Sequence, residues 1–169
     1  MKAIRYFAIL ALAILLPAFS AQAQKTTRPA TPKVVTSSTI GSPSDLKAGA
    51  DKVSIQIKNV TKFIYALGGI ASGIEAVDKD TKANKAAKDA NSVNKQEVMQ
   101  AIRNLRAGLA ALEVEFRTKP ALKKFLPQIQ GITDLSAQTE ELANAGRFSE
   151  SGRPLLLAVE KLSDTLAAM

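Results

Sequence analysis

The stretch from Leu46 to Val77 constrains this chain most. Leu46, Ala50, Val53, Ile57, Val60, Ile64, Leu67, Ala71 and Ile74 recur at alternating steps of four and three, the spacing that sets apolar side chains along one face of a helix. Phe63, Ile70 and Val77 widen that stripe on one flank. A face this broad needs more than one neighbouring helix to cover it.

The rest of the chain supplies three such partners. After Asn94-Lys95-Gln96-Glu97, which has the form of a capping box, Val98, Ile102, Leu105, Leu109, Leu112 and Phe116 predict a second helix. Pro120 suits the first turn of a third, carried by Leu122, Phe125, Ile129, Ile132, Leu135, Leu142 and Ala143. Pro127 falls within that run and predicts a kink or break near Phe125 and Leu126, because its ring clashes with the preceding turn. Gly146 reads as a left-handed cap, and Ser149 or Ser151 opens a fourth helix, with Pro154 favouring the later start. Leu155, Val159, Leu162, Leu166 and Met169 form its stripe. The expected fold is an all-α, antiparallel up-down four-helix bundle over residues 44–169, with Ser44 capping an unusually long first helix.

Between the first two stripes, Asp78 to Asn94 loses the apolar pattern and gathers Lys79, Lys82, Lys85 and Lys88. It reads as a solvated prolongation of the helix or as a disordered segment. Length raises a related point. Ser44 to Val77 spans roughly 51 Å and Gly152 to Met169 roughly 27 Å at 1.5 Å per residue. The first helix should therefore overhang its partners unless it bends, or unless the spur or a second copy of the chain covers it.

Ahead of the helices, Lys2 and Arg5 precede the apolar run Tyr6 to Leu16, and Ala21-Gln22-Ala23 places small residues where a signal peptidase reads. Residues 1–23 are expected to be a secretory leader, since the run is too short to span a bilayer. Residues 24–43, rich in Thr, Ser and Pro and carrying Lys25, Arg28 and Lys33 without an acid, read as a disordered basic linker. The chain is therefore expected to be exported, to the periplasm or beyond.

Composition removes much of enzymology. The 169 residues contain neither Cys nor His, so disulfides, thiolate and Ser-His nucleophiles, and the familiar zinc ligand sets are all out of reach. Glu113, Glu115, Glu140, Glu141, Glu160 and Asp164 fall off the apolar stripes and read as solvated. No Gly-Lys-Ser/Thr phosphate loop is present. The expectation is a protein that is not an enzyme and carries no metal or cofactor.

Leu142-Ala143-Asn144-Ala145-Gly146-Arg147, between the last two helices of an exported four-helix chain, resembles the corresponding turn of the cytochrome b562 family of periplasmic bundles. The resemblance covers about the last 28 residues and implies the bundle fold. That family holds haem between a Met of its first helix and a His of its last. The His position falls on Leu166 and the first helix after the leader has no Met, so haem is not implied. Met99 and Met169 read as a surface residue and a chain end.

Two features remain as candidate sites. Arg117, Lys119, Lys123 and Lys124 cluster at the turn between helices two and three, at the end where the basic linker and Lys47 enter the bundle. They are candidate anion-binding residues. Export and the lack of interleaved aromatics argue against nucleic acid, leaving an anionic envelope surface or a protein partner. The net charge of +8, or +6 without Lys2 and Arg5, favours the same partners. Within the first helix, Phe63, Gly69, Ile70, Gly73 and Val77 are candidate helix-packing or interface residues. Each interior Gly costs about 1 kcal/mol relative to Ala, which close helix approach through Gly69 and Gly73, a kink at Gly68-Gly69, or membrane insertion of Phe63 to Val77 would offset. The expected function is recognition or structural work in the envelope, with homo-oligomerisation through the first helix. A carrier of a small apolar or non-haem ligand and a membrane-active helical protein are the alternatives.

Overall fold

Ser42 accepts a hydrogen bond from the Ser44 amide and Pro43 occupies the first turn, which sets the cap of the first helix two residues ahead of the expected Ser44. The computed structural model describes residues 42–169; the expected leader and most of the expected linker lie outside the described residues. These form an all-helical, four-helix domain: α1 (Pro43–Lys79), α2 (Lys85–Thr118), a 3-10 turn at Lys123–Phe125 running into the single-turn α3 (Leu126–Ile129), α4 (Ile132–Asn144) and α5 (Phe148–Ala168). Helix α1 packs against α2 and α5, and α4 closes the set against the same two.

The expected stripes make the core. Val53 and Val60 of α1 meet Leu109, Leu112 and Phe116 of α2, Leu155 and Leu162 of α5, and the Leu122–Ile132 segment. A second cluster joins Leu67, Ala71 and Ile74 to Val98, Ile102, Ala143 and Phe148. Phe63 packs against both clusters. Met99 and Met169 also pack on core, so neither is the idle surface or terminal residue expected of them.

The spur is ordered, and the second helix begins ten residues earlier than the expected cap at Asn94. Asn84 accepts from the Ala87 amide and caps α2, while Asn94 lies well inside the helix. Polar contacts replace the missing apolar stripe. Buried Asn91 donates to the Ile74 carbonyl at 3.2 Å and to Asp78 at 2.9 Å, and Lys95 pairs with Asp78 at 2.5 Å. The start of α2 thus covers much of the α1 overhang.

Pro120 lies in a turn after α2 and opens no helix. The expected break near Pro127 is present, and a second one follows at Gly131, whose φ of 93° suits glycine. Helix α4 then buries Ile132, Ser136, Thr139 and Ala143, a stripe partly polar and therefore invisible to an apolar count. Ser136 and Thr139 donate to the Thr133 and Leu135 carbonyls of their own helix, which makes their burial tolerable. Gly146, at φ 75°, ends α4 as expected. Arg147 N–H reaches the Leu142 carbonyl and Gly146 N–H that of Ala143, the paired bonds of a Schellman cap. Helix α5 begins at Phe148, ahead of both serines, and Pro154 sits inside it. Burial of the Phe148 ring fixes the earlier start.

Candidate functional site

Glu113, expected to be solvated, is structural, and so is Glu75. Glu113 of α2 is only 6% exposed. It accepts from the Thr133 amide at 3.2 Å, the Thr133 hydroxyl at 2.8 Å and Arg117 at 3.0 Å. Gly131 has no side chain with which to cap α4, and Glu113 supplies the missing acceptor from a neighbouring helix. Glu75 of α1 does the same for α5, accepting from the Ser149 amide at 2.7 Å where Arg147 provides no side-chain cap. A carboxylate at a helix N-terminus also meets the positive end of its dipole. Glu140 is largely enclosed by Arg106 and Arg103, at 2.8 and 3.0 Å; hydrogen bonds from Arg106, then Arg103, hold its carboxyl below its ordinary 4.5.

These pairings commit Glu113, Glu75 and Glu140 to contacts within the fold. Among the described residues no three acids gather as metal ligands would. Two surface depressions among the described residues are open grooves. One, of about 250 Å³, lies between α1 and α2, with Lys52 and Glu115 on its wall. The other, of about 290 Å³, lies beside the α4–α5 turn. The Leu166 position, which the bundle resemblance aligns with a haem-ligating His, is filled by a leucine packed against the core.

The basic end is assembled, but half of it is partnered. Leu122 sits against Gly49, bringing the start of α1 to the α2–α3 connection. Lys123 and Lys124 are exposed there, and Lys124 lies 4.6 Å from the Phe125 ring centroid, an aromatic neighbour the sequence reading had not placed there. Arg117 is paired with Glu113, and Lys119 stands 3.7 Å from Glu115, which Lys52 also engages. The cluster presents fewer open positive charges than four adjacent cations suggest.

The first-helix candidates separate into two groups. Phe63 and Val77 are half-buried. Gly69, Gly73 and Ile70 are exposed, and a Cβ built on Gly68, Gly69 or Gly73 would meet nothing within 4 Å. Close helix approach within the chain is therefore not why these glycines are there, and α1 runs through them as one helix, without a break. They belong to an outward face opposite the core stripe: Tyr65 at 87% exposure, with Gly69, Ser72, Gly73 and Ala76 following at steps of four and three. The one charge between Phe63 and Val77, Glu75, is spent on the start of α5, so this outer face is uncharged. Sequence alone showed the glycines and the missing charges; it did not show which way the glycines faced.

Scans against models of protein families, against curated proteins and against solved structures find no match for this chain.

Proposed function

We propose that this chain is an exported, non-catalytic protein of the cell envelope that works by recognising a partner with the outer face of α1. The observation that carries the reading is the uncharged, exposed surface from Tyr65 to Ala76. Its three glycines weaken a helix by about 1 kcal/mol each, and among the described residues no neighbour within 4 Å of a Cβ at these positions offsets them. A large ring projecting from a floor of small residues is well suited to close approach by another helix, because the backbone itself becomes part of the contact.

The same reading takes the helices as an antiparallel up-down bundle. Lys52 with Glu115 and Asn91 with Ile74 support opposite directions for α1 and α2. Glu75 with Ser149, and Gly49 with Met169, support the same for α1 and α5. The basic end at Lys47, Lys123 and Lys124 serves as a secondary contact for an anionic surface. The leader-like pattern of residues 1–23 and the basic stretch after it support a location in the periplasm or outside the cell.

The test is site-specific photocrosslinking in the native host, with the photoreactive group at position 65. Crosslinks from position 65 and none from position 141, an exposed site on α4, are expected; equal labelling at both sites would remove the recognition face.

A further inference from the structure

We propose that the outer face of α1 docks a second copy of this chain, the two α1 helices running antiparallel and crossing at Gly69. The proposal rests on the reading of this surface as a recognition face and specifies its occupant. A two-fold axis at Gly69 sets each residue n positions before it against the residue n positions after it in the partner. Tyr65 then lies over Gly73, the long Lys62 over Ala76, and Lys58 over Asp80. Lys58, Lys62, Tyr65, Gly73 and Ala76 lie on the same outward side of α1, and Asp80, exposed, is the residue that caps its end. Large residues thus meet small ones and a cation meets an acid, and each pairing occurs twice.

The charges agree with that register. Lys58 is exposed and has no ion-pair partner among the described residues. The Asp80 carboxylate accepts from the Lys82 amide and is otherwise available. Lys79, which could have spoiled the match, instead lines the groove beside Arg147 and Glu150. Parallel helices in the same register would set Lys58 against Lys58 and Tyr65 against Tyr65, like against like. The open space over Gly69 and Gly73 allows the close backbone approach that a tyrosine resting on glycine needs.

The experiment is sedimentation equilibrium on the purified protein over a wide concentration range, with circular dichroism to verify folding. The wild type is expected to show a monomer–dimer equilibrium. Lys58→Asp turns both symmetric ion pairs into repulsions and should weaken association about tenfold, as should Asp80→Lys. The double variant Lys58→Asp with Asp80→Lys should recover the wild-type constant, because each new acid faces a new base. Gly73→Leu has room in the monomer and should keep its helicity while losing the dimer. A wild type that is monomeric throughout overturns the proposal, as does a dimer indifferent to Gly73→Leu or a double variant no better than the singles. A monomer still crosslinked from position 65 to a different protein overturns self-association and spares the recognition face. A monomer without any such crosslink removes both.

Discussion

Replacing Glu113 by Ala tests whether a carboxylate on α2 holds the start of α4. The change removes the acceptor for the Thr133 amide and hydroxyl and the partner of Arg117. Loss of a helix N-cap costs about 1 kcal/mol, and loss of a part-buried hydroxyl bond about another. The Arg117 pair adds less than about 1 kcal/mol, because the arginine side chain is 59% exposed and well solvated without it. The expected destabilisation is about 2–3 kcal/mol, read as a lower midpoint in urea unfolding followed by far-UV circular dichroism. Glu113→Gln keeps an acceptor near Thr133 and should lose only about half as much. Glu141→Ala, on the exposed side of α4, should stay within about 0.5 kcal/mol of wild type. If Glu113→Ala costs no more than Glu141→Ala, the cap seen between α2 and α4 contributes nothing to stability and the reasoning fails.

Other perturbations separate the glycines and the acids by their surroundings. Gly69→Ala, measured at high dilution, should stabilise the fold by about 1 kcal/mol because the new methyl meets open space; a loss of stability would show that the position is occupied in the monomer. Gly49→Ala should do the reverse by about 1 kcal/mol, since its Cβ would lie 2.6 Å from a Leu122 methyl and 3.2 Å from the Met169 Cε; both are flexible side-chain ends, so thermal melting should show a modest drop rather than unfolding. Glu140 has a depressed carboxyl, so its contribution is present above about 4.5, the ordinary carboxylate value, and is lost as pH falls toward the folded-state value. Glu140→Gln should therefore be less stable than wild type at pH 7, and the difference should shrink below about pH 4.5; a gap that stays constant to pH 3 would rule out titration of this group as the cause.

Apolar periodicity located the helices well wherever the buried residues are apolar. Val53, Val60, Leu67, Ala71 and Ile74 were legible because each is both hydrophobic and inward. The rest was hidden for identifiable reasons. The start of α2 contacts α1 through Asn91 and Lys95, both on Asp78 of α1, and an amide–carboxylate–amine contact has no hydropathy signature. Ser136, Thr139, Ser151 and Thr165 are buried because their hydroxyls return to carbonyls of their own helices. Glu113 looked like a solvated acid, and nothing marked Glu75 as a cap, because an acceptor for another helix's N-terminus is defined only in three dimensions. Of the site, the glycines and the missing charges could be read directly, and the basic turn too, but not the ion pairs that consume half of it.

Magnitudes also decide between surface recognition and membrane insertion for α1. Its most apolar 18-residue window has a mean hydropathy of 1.2 and is only 22% buried, so by length and composition the helix could cross a bilayer. To do so it would have to leave its partners and expose their core side chains to water, among them Leu109, Leu112, Leu155 and Leu162, all 3% exposed or less in the fold. At about 1.5–3 kcal/mol for each of these four, that is about 6–12 kcal/mol, comparable to the entire stability of an ordinary domain. Insertion would also carry Lys58 and Lys62 toward hydrocarbon and strip Glu75 from Ser149. Presenting the outer face while the inner face stays packed incurs none of these losses. These losses favour the proposed docking face over insertion, and vesicle binding by the folded protein, if observed, should leave amide hydrogen exchange at the buried Val53, Val60 and Leu67 as slow as it is without lipid. Fast exchange at these positions on vesicles would mean that the core opens and that α1 inserts.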